Sequence, residues 1–131
     1  MEGIDAVLYI NLEHRSDRKE HLLKELSKFN LPEDKVYRID AIKHNIGQLG
    51  CAKSHVKALE FAQSHSEWER VLVLEDDFTF RSDNEAEIDN KIKELLYSHE
   101  DIEVGVLSFN PRTFKYENTE HKNIKNFKSP G

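Results

Sequence analysis

A chain of 131 residues is long enough for one domain with a buried core, and too short for a repeat array or a two-domain enzyme. Its 37% hydrophobic and 34% charged residues predict a folded protein rather than a disordered one. The net charge of −6 argues against a nucleic-acid binder, and the single cysteine excludes both an internal disulfide and a cysteine-based structural zinc site.

No stretch near the N-terminus has the basic segment and apolar core of a signal peptide, and no apolar run approaches transmembrane length. No Asn-x-Ser/Thr glycosylation acceptor occurs in the chain. Together these features predict a cytoplasmic location without a transmembrane segment.

The chain opens with a predicted strand and helix. The run from Ala6 to Leu12 is apolar and β-prone, which predicts a buried first strand. A helix is expected from Ser16 or Asp17, with Glu20 completing a capping box. Helical spacing predicts an apolar face made of Leu22, Leu23, Leu26 and Phe29. The predicted solvent face consists of Lys19, Glu20, Lys24, Glu25 and Lys28.

A second strand and helix follow. Val36 to Ile39 predicts a short strand that delivers Asp40 into a glycine-containing loop. From Cys51 a second helix is expected, with an apolar side made of Ala52, Val56, Leu59 and Ala62. Cys51 is expected to be a small buried apolar residue, and His55 a packed, hydrogen-bonded histidine.

Three acidic residues directly follow the third predicted strand. The apolar run Val71 to Leu74 predicts a strand buried on both faces, and it continues into Glu75, Asp76 and Asp77. Adjacent carboxylates repel one another, so a cation at this tip would stabilise them. Side chains alternate in extended backbone, so Glu75 and Asp77 are expected to point the same way. A divalent cation site and a solvated acidic turn both remain open at this point.

The remaining elements complete an α/β pattern. A third helix is predicted from Glu85 to Tyr97 and a fourth strand from Glu103 to Phe109, followed by a polar tail over 111–131. The order β-α-β-α-β-α-β predicts a Rossmann-type, doubly wound and mostly parallel sheet. In such sheets ligands bind beyond the carboxyl ends of the strands, where the acidic tip would lie.

Several other polar residues would meet at that same edge. Arg15 and Arg18 flank a helix start, where guanidinium and free amide groups suit phosphate, although both arginines could be ordinary surface charges. Asp40 ends the second strand, and small residues beside Lys53 and Ser54 would let a ligand approach the second helix. Neither a GxGxxG nor a GxxxxGK[ST] motif occurs.

Four motifs taken together, in this order and spacing, resemble glycosyltransferase family 25. They are YINLEHRSDR at 9–18, RIDA at 38–41, GCAKSH at 50–55 and VLEDD at 73–77. The resemblance covers roughly residues 5 to 110 and is more specific than any single motif. It implies a GT-A fold over 1–110 that binds a nucleotide-sugar, followed over 111–131 by a polar tail, poorly ordered or the start of an acceptor half.

The activity implied by the resemblance is inverting transfer of a hexose, galactose or glucose, from a UDP-sugar to a glycan or other hydroxyl acceptor, with Mn²⁺ or Mg²⁺. The implied nucleotide-binding residues are Asn11, Leu12, Arg15, Arg18, Asp40, Lys53, Ser54 and Asp76. The implied metal ligands are Asp77 and Glu75. No residue is identified as the base that deprotonates the acceptor.

Two other classes of protein share some of these sequence features. The absence of an identifiable base is compatible with a non-catalytic module that binds the nucleotide-sugar without transfer. A response-regulator receiver also holds Mg²⁺ with strand-end acids, but its acid pair ends the first strand. Here the first strand ends in Asn11 and Leu12, which disfavours a receiver.

Overall fold

A computed structural model describes residues 3–29, 31–81, 84–98, 104–105, 115–118 and 125–128. The chain divides into two compact units, Met1–Glu85 and Ala86–Gly131. Within the described residues, no helix combines the length and hydropathy that crossing a membrane requires.

The first unit contains a parallel sheet. The structure describes three of its strands, β1 (Ala6–Asn11), β2 (Val36–Asp40) and β3 (Val71–Glu75), in the order β2-β1-β3. Asn11 is level with Asp40 of β2, and Ile10 is level with Glu75 of β3. The predicted α/β class and parallel pairing are confirmed, and the three carboxyl ends lie at one edge.

Strand β1 is the centre of the described sheet. All six of its residues are buried, because it pairs with a strand on each side and carries no exposed polar face. The prediction that the β3 strand is buried on both faces was wrong. Its first three residues are only partly buried, since β1 is its sole partner among the described strands.

Helix α1 (Ser16–Leu26) buries one face, and its predicted pattern needs three corrections. Leu22 and Leu26 are buried as expected, whereas Leu23 is 39% exposed. Glu25 is buried instead of solvated, because its carboxylate accepts hydrogen bonds from the Phe80 N–H and from Lys28. The predicted capping box is absent: the N-cap position makes no side-chain capping bond.

Helix α2 (Gly47–Gln63) begins four residues before the predicted start and buries a different face. Gly50, Ser54 and Ala58 face inward at i, i+4 and i+8 spacing. Val56 and Leu59, predicted to pack, are 53% and 58% exposed. Small residues face inward because the loop that contains Ile42 lies directly against this side of the helix. A Cβ added at Gly50 would lie 2.8 Å from the Ile42 carbonyl oxygen.

An aromatic cluster supports the α2 side of the core. Tyr37 of β2 contacts Phe61 at 5.7 Å and Trp68 at 5.1 Å between ring centroids. His65 stacks on Trp68 at 3.9 Å, nearly parallel. The rings of Tyr37, Phe61 and Trp68 pack against a cluster of buried residues, which consists of Ala6, Leu8, Ile10, Ile39 and Ala58. The core of the first unit therefore lies between the sheet and α2 at this end.

The second unit holds helix α3 and a hairpin. The predicted third helix is confirmed as α3 (Glu85–Ser98), which begins at the last residue of the first unit. Strands β4 (Lys115–Asn118) and β5 (Lys125–Lys128) form an antiparallel pair within the stretch predicted as a polar tail. The predicted strand from Glu103 to Phe109 falls outside the described residues, except for 104–105.

Two leucine substitutions test the helix faces. Leu22→Ala is expected to lower the free energy of unfolding by about 3 kcal/mol, because Leu22 is fully buried. Leu59→Ala, the matched control on α2, is expected to change it by less than about 0.5 kcal/mol. Urea unfolding measures both, and similar losses for the two variants would contradict the described faces.

Candidate functional site

An open pocket of about 370 Å³ lies at the carboxyl ends of the three strands. Its walls come from the end of β1 and the turn after it, from the loop after β2, from the start of α2 and from the acidic tip of β3. The lining residues central to its chemistry are Leu12, Arg15, Arg18, Gly50, Cys51, Ser54, Glu75, Asp76 and Asp77. This volume and position suit a small-molecule ligand.

Asn11, at the end of β1, ties the three strand ends together. Its Nδ2 donates to Asp76 Oδ2 at 2.9 Å and to the Arg15 carbonyl at 3.0 Å, and its Oδ1 accepts from Arg38 Nε at 3.0 Å. Arg38 also donates to the Asn11 backbone carbonyl at 2.8 Å. Asn11 is buried, and both amide hydrogens are used. It therefore lies beneath the pocket rather than on its lining.

The acidic tip presents its three carboxylates in two directions. Asp76 is buried and accepts from Asn11 and, at 3.4 Å, from Arg18 Nη1. Glu75 and Asp77 are exposed on either side of it. A tight turn follows, in which the Phe78 N–H donates to the Glu75 carbonyl at 3.1 Å. The buried Asp76 thus leaves two carboxylates at the pocket surface.

Helix α1 holds the segment that follows the acidic tip. The Glu25 carboxylate accepts from the Phe80 N–H at 3.2 Å, and His21 Nε2 contacts the Phe78 carbonyl oxygen at 3.2 Å. The Phe80 ring packs against Phe29, with ring centroids 4.5 Å apart. These contacts explain the burial of Glu25, and they fix the chain immediately beyond Asp77.

Two arginines supply positive charge on the pocket lining. Arg18 makes the long contact with Asp76 described above, and its side chain remains 44% exposed. Arg15 is paired through two 3.0 Å hydrogen bonds with Asp17, which hold the pKa of Asp17 at about 2 and raise that of Arg15. Arg18 is therefore the more available of the two for an anionic ligand.

The loop wall of the pocket is pinned to α2 through Ser54. The Ser54 hydroxyl accepts from the Ile42 N–H and donates to the Gly50 carbonyl, both at 2.8 Å. Ser54 is buried and lines the pocket floor, so its hydroxyl primarily positions the loop. The close contact at Gly50 permits this arrangement, because any Cβ there would meet the loop backbone.

Besides Asn11, two residues that the resemblance assigns to the nucleotide do not line this pocket. Lys53 is exposed on α2. Asp40 is exposed as well and accepts from Arg38 Nη2 at 3.0 Å, while its carbonyl accepts from Lys57 at 2.9 Å. The structure thus gathers seven of the ten predicted residues on the lining and leaves Asn11, Asp40 and Lys53 off it.

A cluster of Cys51, His55 and Glu75 lies at one side of the pocket. Cys51 is exposed, contrary to the expectation that it is buried, and its thiol donates to Glu75 Oε1 at 2.9 Å. His55 Nε2 lies 3.1 Å from the same oxygen. The i, i+4 spacing of Cys51 and His55 was a sequence signal for this cluster, but the sequence did not show Glu75 opposite them.

The cluster shifts the proton affinities of two of its members. The hydrogen bond to Glu75, together with burial and the nearby negative charges, raises the pKa of Cys51 to about 11. The hydrogen bonds from Cys51 and His55 lower the pKa of Glu75. At neutral pH the thiol is therefore protonated beside a carboxylate, and Cys51 is a poor nucleophile.

The carboxylates of the tip fit the expected Mg²⁺ or Mn²⁺. Such ions take oxygen ligands and are commonly bound by one or two carboxylates, with water and phosphate oxygens as the remaining ligands. Glu75 and Asp77 both line the pocket and are both exposed. Among the described residues, the Asp77 carboxylate makes no side-chain hydrogen bond or ion pair, whereas the Glu75 carboxylate is shared with Cys51 and His55.

Comparison of the chain with protein-family models, with curated proteins and with solved structures finds no match. The function must therefore be argued from the pocket itself and from the motifs that line it. Those motifs meet at one edge of the sheet, as described above.

The Asn11 bridge can be tested by stability. Asn11→Ala is expected to lower the free energy of unfolding by about 2–3 kcal/mol, because it removes the hydrogen bond to the buried Asp76 carboxylate and the hydrogen bond from Arg38 Nε. Asp40→Asn, which weakens only the exposed pair with Arg38, is expected to cost less than about 1 kcal/mol. Urea unfolding of both variants is the measurement, and equal small losses would contradict the bridge.

The environment of Cys51 predicts its reactivity with pH. The rate of iodoacetamide alkylation should rise with a midpoint at pH about 11, because Glu75 disfavours the thiolate. Glu75→Gln removes that charge, so the midpoint should fall toward the ordinary thiol value and the rate at pH 8 should rise about tenfold. Glu20→Gln on α1 is the control. A wild-type midpoint near 9 would show that the Glu75 contact is wrong.

Proposed function

We propose that the pocket binds a nucleoside diphosphate sugar, UDP-linked, together with Mn²⁺ or Mg²⁺, as the donor site of an inverting glycosyltransferase with a GT-A fold. The proposed reaction moves a hexose to a hydroxyl acceptor such as a glycan. One observation carries the proposal: two exposed carboxylates and two arginines line a single open pocket at the carboxyl edge of a parallel sheet.

The opposite charges in the pocket suit a diphosphate. Glu75 and Asp77 would repel a diphosphate directly, so they would hold the cation that bridges to it. Arg18, which keeps an exposed guanidinium, would bind a phosphate oxygen from the other side of the pocket. When bound, the metal would supply positive charge that stabilises the departing nucleotide diphosphate. Neither the two carboxylates nor Arg18 alone would make this pocket a diphosphate site.

The geometry gives Asn11 and Asp76 a positioning role in the proposed site. Both oxygens of Asp76 already accept hydrogen bonds, from Asn11 and from Arg18. This pairing turns Asp76 inward and leaves its two neighbours directed to the pocket. Leu12 and the loop after β2 remain to contact the base and ribose. We therefore assign ligand contact to the exposed and partly exposed residues of the pocket lining, and a supporting role to the buried residues Asn11 and Asp76.

A second candidate function is a module that binds the nucleotide-sugar without transferring it. Among the described residues, the pocket has three carboxylates: Asp76 is engaged, and Glu75 and Asp77 are assigned to the metal. None of these remains to deprotonate an acceptor hydroxyl, as an inverting displacement requires. Product formation, rather than binding, separates the two candidates.

Calorimetry with UDP tests the donor site. UDP is expected to bind at least about tenfold more tightly with Mn²⁺ present, a gain of roughly 1.4 kcal/mol. Asp77→Ala should abolish that gain, because it removes a carboxylate ligand, while binding without metal should change little. Asp34→Asn, in the short 3₁₀ helix at the opposite end of the sheet, is the matched control.

The absence of UDP heat with and without metal would overturn the proposed function. If UDP binds, the protein is next incubated with UDP-galactose or UDP-glucose and with acceptor sugars. The free UDP that is released is then measured. Release of UDP with formation of a glycoside supports the transferase, and binding without product supports the binding module.

A further inference from the structure

We propose that Cys51, His55 and Glu75 form a Zn²⁺ site. Cys51 and His55 lie one helical turn apart on the same side of α2, and Glu75 faces both from the end of β3. The site shares Glu75 with the proposed Mg²⁺ or Mn²⁺ position and differs from it in the sulfur of Cys51 and the ring nitrogen of His55. It stands independently of whether a nucleotide binds in the pocket.

The three side chains are close enough to share one ion. One ligand atom from each, Sγ, a ring nitrogen and a carboxylate oxygen, lies within 4.8 Å of the others. Zinc bond lengths and tetrahedral angles place such atoms roughly 3.4–3.6 Å apart. The Sγ–Oε1 separation of 2.9 Å and the Nε2–Oε1 separation of 3.1 Å would have to open by about 0.3–0.7 Å to reach these values. All three side chains are partly or fully exposed, so they are free to make this adjustment.

The donor atoms select the kind of metal. A thiolate and an imidazole are softer ligands than carboxylates and favour Zn²⁺ over Mg²⁺ or Mn²⁺. The thiol proton would leave to solvent when zinc binds. Three protein ligands leave the fourth position of a tetrahedral ion to water or to a molecule in the pocket, unlike a closed structural site. Two of the three ligands, Cys51 and Glu75, lie on the pocket lining, where such a molecule would have access.

Occupancy of this site would affect the proposed nucleotide site, and this consequence alone rests on the proposed function. Glu75 belongs both to the cluster and to the acidic tip. Zinc bound to Glu75 would withdraw that carboxylate from Mg²⁺ or Mn²⁺. Zn²⁺ should therefore weaken Mn²⁺-dependent UDP binding in the wild type, but not in Cys51→Ser, where zinc is held less tightly.

Cobalt absorption tests the site without any nucleotide. Co²⁺ added to the full chain, purified without a histidine tag, should bind at one equivalent and give a thiolate-to-cobalt charge-transfer band in the near ultraviolet. Zn²⁺ should displace it. Cys51→Ser should abolish the band, and His55→Gln and Glu75→Gln should each weaken zinc binding at least about tenfold. His14 is an exposed histidine outside the cluster, so His14→Gln should leave the charge-transfer band and the zinc affinity unchanged.

Either of two results would overturn the zinc site. One is the absence of a charge-transfer band at saturating Co²⁺. The other is zinc affinity that is unchanged in both His55→Gln and Glu75→Gln. Circular dichroism of each variant confirms folding, which is expected because the substituted side chains are not buried in the core. Failure of UDP to bind would leave the cobalt result intact, so the two proposals fail separately.

Discussion

The pocket depends on the hydrogen bonds of one buried side chain, Asn11. A parallel sheet that ends in three adjacent carboxylates would repel itself at that edge. Asn11 ends the central strand and reaches both neighbours, donating to Asp76 beside β3 and accepting from Arg38 of β2. Because Asp76 is held inward by this bond and by Arg18, Glu75 and Asp77 are left exposed. The division into one supporting and two available carboxylates follows from that bridge.

Small residues at the start of α2 build the opposite wall. Gly50 allows the loop after β2 to lie against the helix, and Ser54 fixes it with a hydroxyl that is both donor and acceptor. The same close approach brings Cys51 and His55 toward the tip of β3. A single packing constraint thus forms the pocket and places a sulfur and a nitrogen ligand beside Glu75. The two proposed metal sites would consequently share one carboxylate, that of Glu75.

Strands β1, β2 and β3 were predictable because each lies on an apolar run of the sequence. In a chain this polar, such runs must be buried, and short β-prone runs are buried as strands. The helix faces were less predictable. On α2 the inward positions are small or polar and the apolar Val56 and Leu59 point outward, since close backbone approach, rather than hydrophobicity, selected the face. The helical pattern places Glu25 in solvent, because it does not show that the Glu25 carboxylate accepts a hydrogen bond from the Phe80 N–H. The acidic tip and Arg18 were found from sequence, but the link between Asn11 and Asp76 spans 65 positions and no local pattern encodes it.

In the proposed donor site, the tip of β3 would hold a divalent ion together with a nucleotide diphosphate. Amide NMR spectra of the ¹⁵N-labelled protein with UDP and substoichiometric Mn²⁺ test it directly, because the paramagnetic ion broadens nearby signals. We expect the signals around Glu75–Asp77 and the start of α2 to be lost and those at the opposite end of the sheet to be retained. The loss should be smaller in Asp77→Ala. Broadening that is absent, or that lies away from this edge in the wild type, would contradict the proposed donor site.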